Sequence, residues 1–110
     1  MNQALLRAGR ISFVFAAAVL FAIVPVHAQS GASTFKAKCA ACHGPDGKGE
    51  TSMGKMLKVK DLSSPEVQKQ SDAQLTDIIE NGKSPMPGYK DKLSSTDIKG
   101  LVSYIRSLKK

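Results

Sequence analysis

Two cysteines with two residues between them, followed at once by a histidine, form the most reactive grouping in this 110-residue chain: Cys39-Ala40-Ala41-Cys42-His43. On one helical turn, each thiol can add across one vinyl group of a porphyrin. Its sulfur bonds to carbon and leaves a thioether. The adjacent imidazole can then give a neutral ring nitrogen to the iron. C-x-x-C-H is the spacing of covalent haem attachment. Other chemistries use parts of the same pattern. A thioredoxin-like redox pair belongs to a βαβ unit, and no segment here alternates like a strand. A structural zinc site wants four ligands, and the chain's other histidine, His27, lies in a leader segment. A plain disulfide across so short a loop would stabilise little.

The leader is read from its pattern. Arg7 and Arg10 precede an apolar run from Ile11 to Val24, and Val26-His27-Ala28 has the small residues of a cleavage site. These are the three regions of a secretory signal peptide. A spanning helix needs roughly 20 apolar residues, more than this run supplies. The expected domains are therefore a signal peptide over 1–28 and one folded domain over 29–110, with an uncleaved anchor as the alternative. An exported, periplasmic (or extracytoplasmic) protein follows, with no permanent membrane span in its mature form and a monomeric state by default.

Removing residues 1–28 takes three of the four phenylalanines with it, leaving Phe35, Tyr89 and Tyr104 as the aromatic residues. A core with so few large rings needs an added constraint, and two cysteines cannot build a disulfide framework. One haem c, attached through Cys39 and Cys42, would fill that interior. The formal net charge is +7, and the leader removes two arginines and no acid. No platform of interleaved basic and aromatic residues is visible, so nucleic acid is disfavoured. A redox protein partner with an acidic docking surface fits better.

The elements that must position the motif read as helices. Gly31 to Ala41 forms one helix, with Phe35 and Cys39 four apart on one face. Gly44 to Gly54 is a glycine-rich loop, and Lys55 to Lys60 a short helical turn. Ser64-Pro65 opens another short helix. Ser71 and Gln74 have capping-box spacing at the head of a helix reaching Asn81, stopped by Gly82. Lys83 to Asp91 is a loop. The last helix starts at Ser94 and carries Ile98, Leu101, Val102, Ile105 and Leu108 at helical spacing. The fold class is all-α, with about four short helices and Gly/Pro-rich loops.

Phe35, then Cys39-x-x-Cys42-His43-Gly44-x-x-Gly47-x-Gly49, then Met86-Pro87-Gly88-Tyr89 with Leu93-Ser94, and Leu101-Val102-x-Tyr104-Ile105 resemble the small class I cytochromes c. The likeness is to the short bacterial type near cytochromes c6, c551 and c553. The resemblance spans essentially all of 29–110 and implies the cytochrome c fold around one haem. It also places Gly31 and Phe35 where a first helix crosses the last one, with Tyr104 on the other side. Met86 falls in the family's sixth-ligand loop. Chain geometry agrees: a ligand on the far face of the ring must come from chain that has wrapped around it. Met53 follows His43 too closely, whereas Met86 lies in a distant Pro-flanked loop. The metal ligands are then His43 and Met86, and Met53 and Met56 become core gap-fillers. One position departs from the family. Many members have Pro where Lys55 stands, and the carbonyl of that Pro accepts the ligand imidazole's hydrogen bond. Lys55 keeps a carbonyl that could accept the same bond, in a less rigid loop.

Two functions remain at this stage. One is a single-haem electron carrier, not an enzyme, cycling Fe(III)/Fe(II) with both axial ligands attached. The other is a five-coordinate haem enzyme or gas sensor with an open or labile sixth position. A two-haem peroxidase would need a second C-x-x-C-H. A third reading makes the chain a redox subunit of a fixed complex, although no extra segment marks that role. Lys48, Lys83, Lys90 and Lys92 are expected near the exposed haem edge, either docking an acidic partner or simply solvated. Lys99, Arg106, Lys109 and Lys110 are expected on the last helix, away from that edge.

Overall fold

The computed structural model describes residues 14–22 and 26–110. Among these it forms six helical segments: α1 (Val26–Lys38), α2 (Ala40–His43), α3 (Ser52–Leu57), α4 (Pro65–Gln68), α5 (Asp72–Asn81) and α6 (Ser95–Ser107). No strand occurs among the described residues; one isolated bridge joins Lys83 and Met86. Residues 14–22 form no helix, and their apolar side chains stand in solvent, with Phe15 92% and Leu20 94% exposed. Such a segment adds nothing to the core. Arg7 and Arg10, which open the expected leader, lie outside the described residues.

Local chemistry sets the helix starts. Ser71 and Ser94 each accept the N–H three residues on, at 3.1 Å, and Gln74 and Asp97 return the bond to the cap's own N–H. Pro65 occupies the first turn of α4 behind the Ser64 cap. Two helix boundaries differ from expectation. The first helix begins earlier than Gly31 and stops at Lys38, because Cys39 turns out of line (φ −115°) before the chain resumes as α2. The turn expected over Lys55 to Lys60 instead starts at Ser52, because Thr51 caps it by accepting the Gly54 N–H at 2.9 Å.

Helix α1 packs on α6 more extensively than any other described pair. The helices touch backbone to backbone: a Cβ on Gly31 would lie 2.0 Å from the Gly100 carbonyl oxygen. Next to this crossing Phe35 is fully buried, and its ring centroid is 4.8 Å from that of Tyr104. Leu75 and Ile79 of α5 and Ile98, Leu101, Val102 and Ile105 of α6 complete the core with Leu62 and Val67. Burying each of these large apolar side chains is worth about 1.5–3 kcal/mol. Gln68 ties the middle of the chain to α6, donating at 2.8 Å to the carbonyls of both Leu62 and Ile105. The Gly31 crossing gives a direct test. Gly31→Ala should destabilise the protein by about 3 kcal/mol through overpacking against backbone, while Lys36→Ala on the exposed face changes little. Urea unfolding of both variants measures this, and an unaffected Gly31→Ala midpoint would contradict the crossing.

Candidate functional site

The motif sits where α1 hands over to α2. Cys39 accepts the N–H of His43 at 2.9 Å, which places both thiols and the imidazole on one turn. The loop beyond is laced back onto that turn. Gly49 donates to the His43 carbonyl at 2.7 Å. The Thr51 hydroxyl lies 3.0 Å from the Ala41 carbonyl and 2.9 Å from that of Cys42. Thr51 thus caps α3 and clamps the motif at once. Its place three residues ahead of Gly54 in a glycine-rich stretch was a legible cap signal, but its bonds to the motif depend on the folded loop.

Met86 is brought to the same region by the end of α5. Gly82 leaves that helix at φ 77°, and a Cβ there would lie 2.6 Å from the Met86 carbonyl oxygen. Lys83 and Met86 exchange backbone bonds of 3.1 and 2.8 Å across a tight turn. Downstream, Tyr89 donates its N–H to Ile79 at 2.9 Å, and its hydroxyl donates to the Lys38 carbonyl at 3.3 Å. The Met86 loop is therefore tied both to α5 and to the end of α1, next to Cys39.

Cys39, Cys42, His43 and Met86 line one cleft of ≈ 310 Å³. Leu57, Val59, Ile78, Leu101 and other apolar side chains form most of its wall. Both cysteines are free thiols. Burial, then the charge of Cys42, push the Cys39 thiol up to about 11, so it stays protonated near neutrality. Burial also holds the His43 imidazole below its ordinary value, which favours the neutral ring that a metal ligand needs. Burial, then the two cysteines, raise the Tyr89 phenol. Among the described residues no three or more His, Cys, Asp or Glu side chains converge as a metal-binding group. Two free thiols, a neutral imidazole whose Nδ1 is buried without a partner, and a thioether facing one apolar cleft fit a covalently held haem.

Other expected placements change. Met53 is 46% and Met56 73% exposed, so neither fills the core. Helix α3 is too short for its sequence to reveal its inner face, and it turns Gly54 inward instead. Of the four lysines expected by the cleft, only Lys83 lines it; the others on its wall are Lys38, Lys58 and Lys60. Lys48 lies near Asp61, and Lys92 stands 5.7 Å over the Tyr89 ring. Lys60 is paired with Glu66. Arg106 is not a free surface charge: it pairs with Asp72 at 2.9 Å and donates to the Gln68 and Gln70 carbonyls.

The family described as cytochrome c oxidase, cbb3-type, subunit III matches residues 26–105. The chain is 34% identical over 82 residues to cytochrome c6 of Bryopsis maxima, covering 70% of this chain and 86% of that protein. Cytochrome c6 of Synechocystis sp. is 35% identical over 75 residues, 68% of this chain and 60% of its own. FixP, a cbb3-type cytochrome c oxidase subunit of Azorhizobium caulinodans, is 37% identical over 83 residues, 74% of this chain but 27% of that subunit. The chain thus spans only part of the length of some relatives. Among solved structures, the c-type cytochrome KustC0563 superposes with a TM-score of 0.68 at 33% identity, over 73% of this chain and 98% of that one. A thioether-and-imidazole cleft in an all-α chain and these likenesses lead to one conclusion: the chain belongs to the c-type cytochromes, as a small class I domain that carries haem c.

Proposed function

We propose that this chain is a single-haem electron carrier in which Cys39 and Cys42 hold the haem covalently and His43 and Met86 are the axial ligands. The observation that carries this is the meeting of all four side chains in one apolar cleft, although His43 and Met86 lie far apart in sequence. Haem iron supplies a one-electron Fe(III)/Fe(II) couple. The chain's own residues do the rest. The Thr51 bonds and the Gly49–His43 bond hold the motif turn, while the Gly82 turn and the Tyr89 bonds hold Met86. The apolar wall excludes water, and ligation by His43 with Met86 would raise the reduction potential of the iron. With both ligands bound, the iron would be closed to oxygen and peroxide, which is what separates this reading from a five-coordinate enzyme or gas sensor.

The leader over 1–28 is removed on export in this reading. Its support is the apolar segment 14–22, whose large side chains stand exposed and join no part of the described core. The partner is an acidic redox protein that meets the basic rim of Lys38, Lys58 and Lys83. The FixP and cbb3-type likenesses favour one alternative setting, in which the same electron transfer occurs within an oxidase complex.

Two experiments test this reading. The oxidised protein should show a weak red charge-transfer band from sulfur to ferric iron, and the reduced protein should not respond to carbon monoxide. Met86→Ala should lose that band, bind carbon monoxide and drop in reduction potential; carbon monoxide binding by the unaltered protein would support an open sixth position. Separately, oxidation by the anion hexacyanoferrate(III) should slow several-fold between about 0.01 M and 0.15 M salt, where the screening length falls from ~30 Å to ~8 Å. A rate indifferent to salt would remove the basic rim from the account.

A further inference from the structure

We propose that Arg106 is a positioning residue: from the last helix it straps the stretch 62–70, one wall of the cleft, into place, and so keeps water from that side of the cleft. The consequence for the iron rests on the haem reading above; the strap itself does not.

This stretch needs a fastening. Leu62, Val67 and Gln70 line the cleft, and Leu62 and Val67 also belong to the core. Their helix, α4, has four residues and packs broadly on no other described helix. One helical turn is not stable on its own hydrogen bonds. Polar bonds to α6 hold it, and they run both ways. The Gln68 amide donates at 2.8 Å to the Ile105 carbonyl. In return the Arg106 guanidinium donates to the Gln68 carbonyl at 2.8 Å and to the Gln70 carbonyl. Its Nε donates to the Asp72 carboxylate at 2.9 Å, in the first turn of α5. One side chain thus joins the end of α4, the link beyond it and the start of α5.

The chemistry requires arginine. Carbonyls past the end of a helix have no partner within it. A planar guanidinium reaches several of them in a fixed fork, whereas an ammonium is a point charge. The Arg106 side chain is 30% exposed and that of Asp72 75%. The bonds to the two carbonyls, part-buried and charge-assisted, therefore carry more than the ion pair in solvent. Without the fork, the wall opens locally while the rest of the fold stays closed. Water then reaches the cleft beside Val67. Burial favours the less charged ferrous iron, so water entry lowers the reduction potential.

The test compares the haem-loaded protein with its Arg106→Lys and Asp72→Asn variants. The amides of Gln68, Lys69 and Gln70 bond to backbone carbonyls within the stretch, and their hydrogen exchange reads the strap. Arg106→Lys keeps the charge but loses the fork. Those amides should exchange roughly ten-fold faster in it, those of Leu75 and Ile79 should keep their rates, and the reduction potential should fall. Asp72→Asn removes only the exposed ion pair and should change neither readout. Unchanged exchange in Arg106→Lys would overturn the proposal, as would an unchanged potential or an equal effect of Asp72→Asn. If Arg106→Lys does not mature, nitrogen-15 spectra of the unaltered protein decide. A strapped guanidinium gives separate Nη1 and Nη2 signals; one averaged signal would overturn the proposal. A preparation without covalent haem would defeat the haem reading and leave the exchange measurement to judge the strap.

Discussion

Everything in this small domain depends on an apolar cleft that its own side chains do not close. Leu57, Val59, Ile78 and Leu101 reach the cleft from different helices and loops. Apolar surface left facing water costs about 25 cal/mol for each Å². With Phe35 the one deeply buried aromatic ring among the described residues, the domain has little other apolar mass to offset that cost. The haem of this family is therefore part of the core as well as the redox group. The same apolar wall that gains stability when covered also surrounds His43 and Met86, so folding and the proposed electron transfer share one surface.

The protein parts that frame the cleft are of two kinds. The α1–α6 crossing brings backbone against backbone at Gly31 and Gly100, and it fixes the helix that ends just before Cys39. The remaining frame is loop, held by specific bonds rather than by burial. Thr51 fastens the motif turn to α3, and Tyr89 fastens the Met86 loop to α1 and α5. Loss of the Thr51 hydroxyl would loosen the turn that carries both thiols.

Local signals were legible in the sequence. The Ser71 capping box, the helix start at Ser94, the Gly82 stop and the α6 stripe from Ile98 to Ile105 need only neighbouring residues, and they appear where expected. The motif and the Met86 loop were readable too, because C-x-x-C-H and a Pro-flanked methionine are short and specific. What stayed hidden depended on how short segments rotate against the rest. Helix α3 has six residues, too few for a period to mark its buried face, and so Met53 and Met56 point outward. The lysines of the cleft wall were missed for a similar reason. Lys58 follows α3 with φ 54°, a turn that propensity does not assign to lysine, and it carries the side chain to the cleft. Arg106 looked like a surface charge until its bonds to Asp72, Gln68 and Gln70 were seen across the fold.

The central claim is that one porphyrin is bonded to Cys39 and Cys42. Intact-mass spectrometry of the exported protein, denatured and treated with a thiol-alkylating reagent, tests it most directly. The account predicts a single species carrying one haem, with neither cysteine alkylated. A haem-free polypeptide alkylated at both thiols would contradict it.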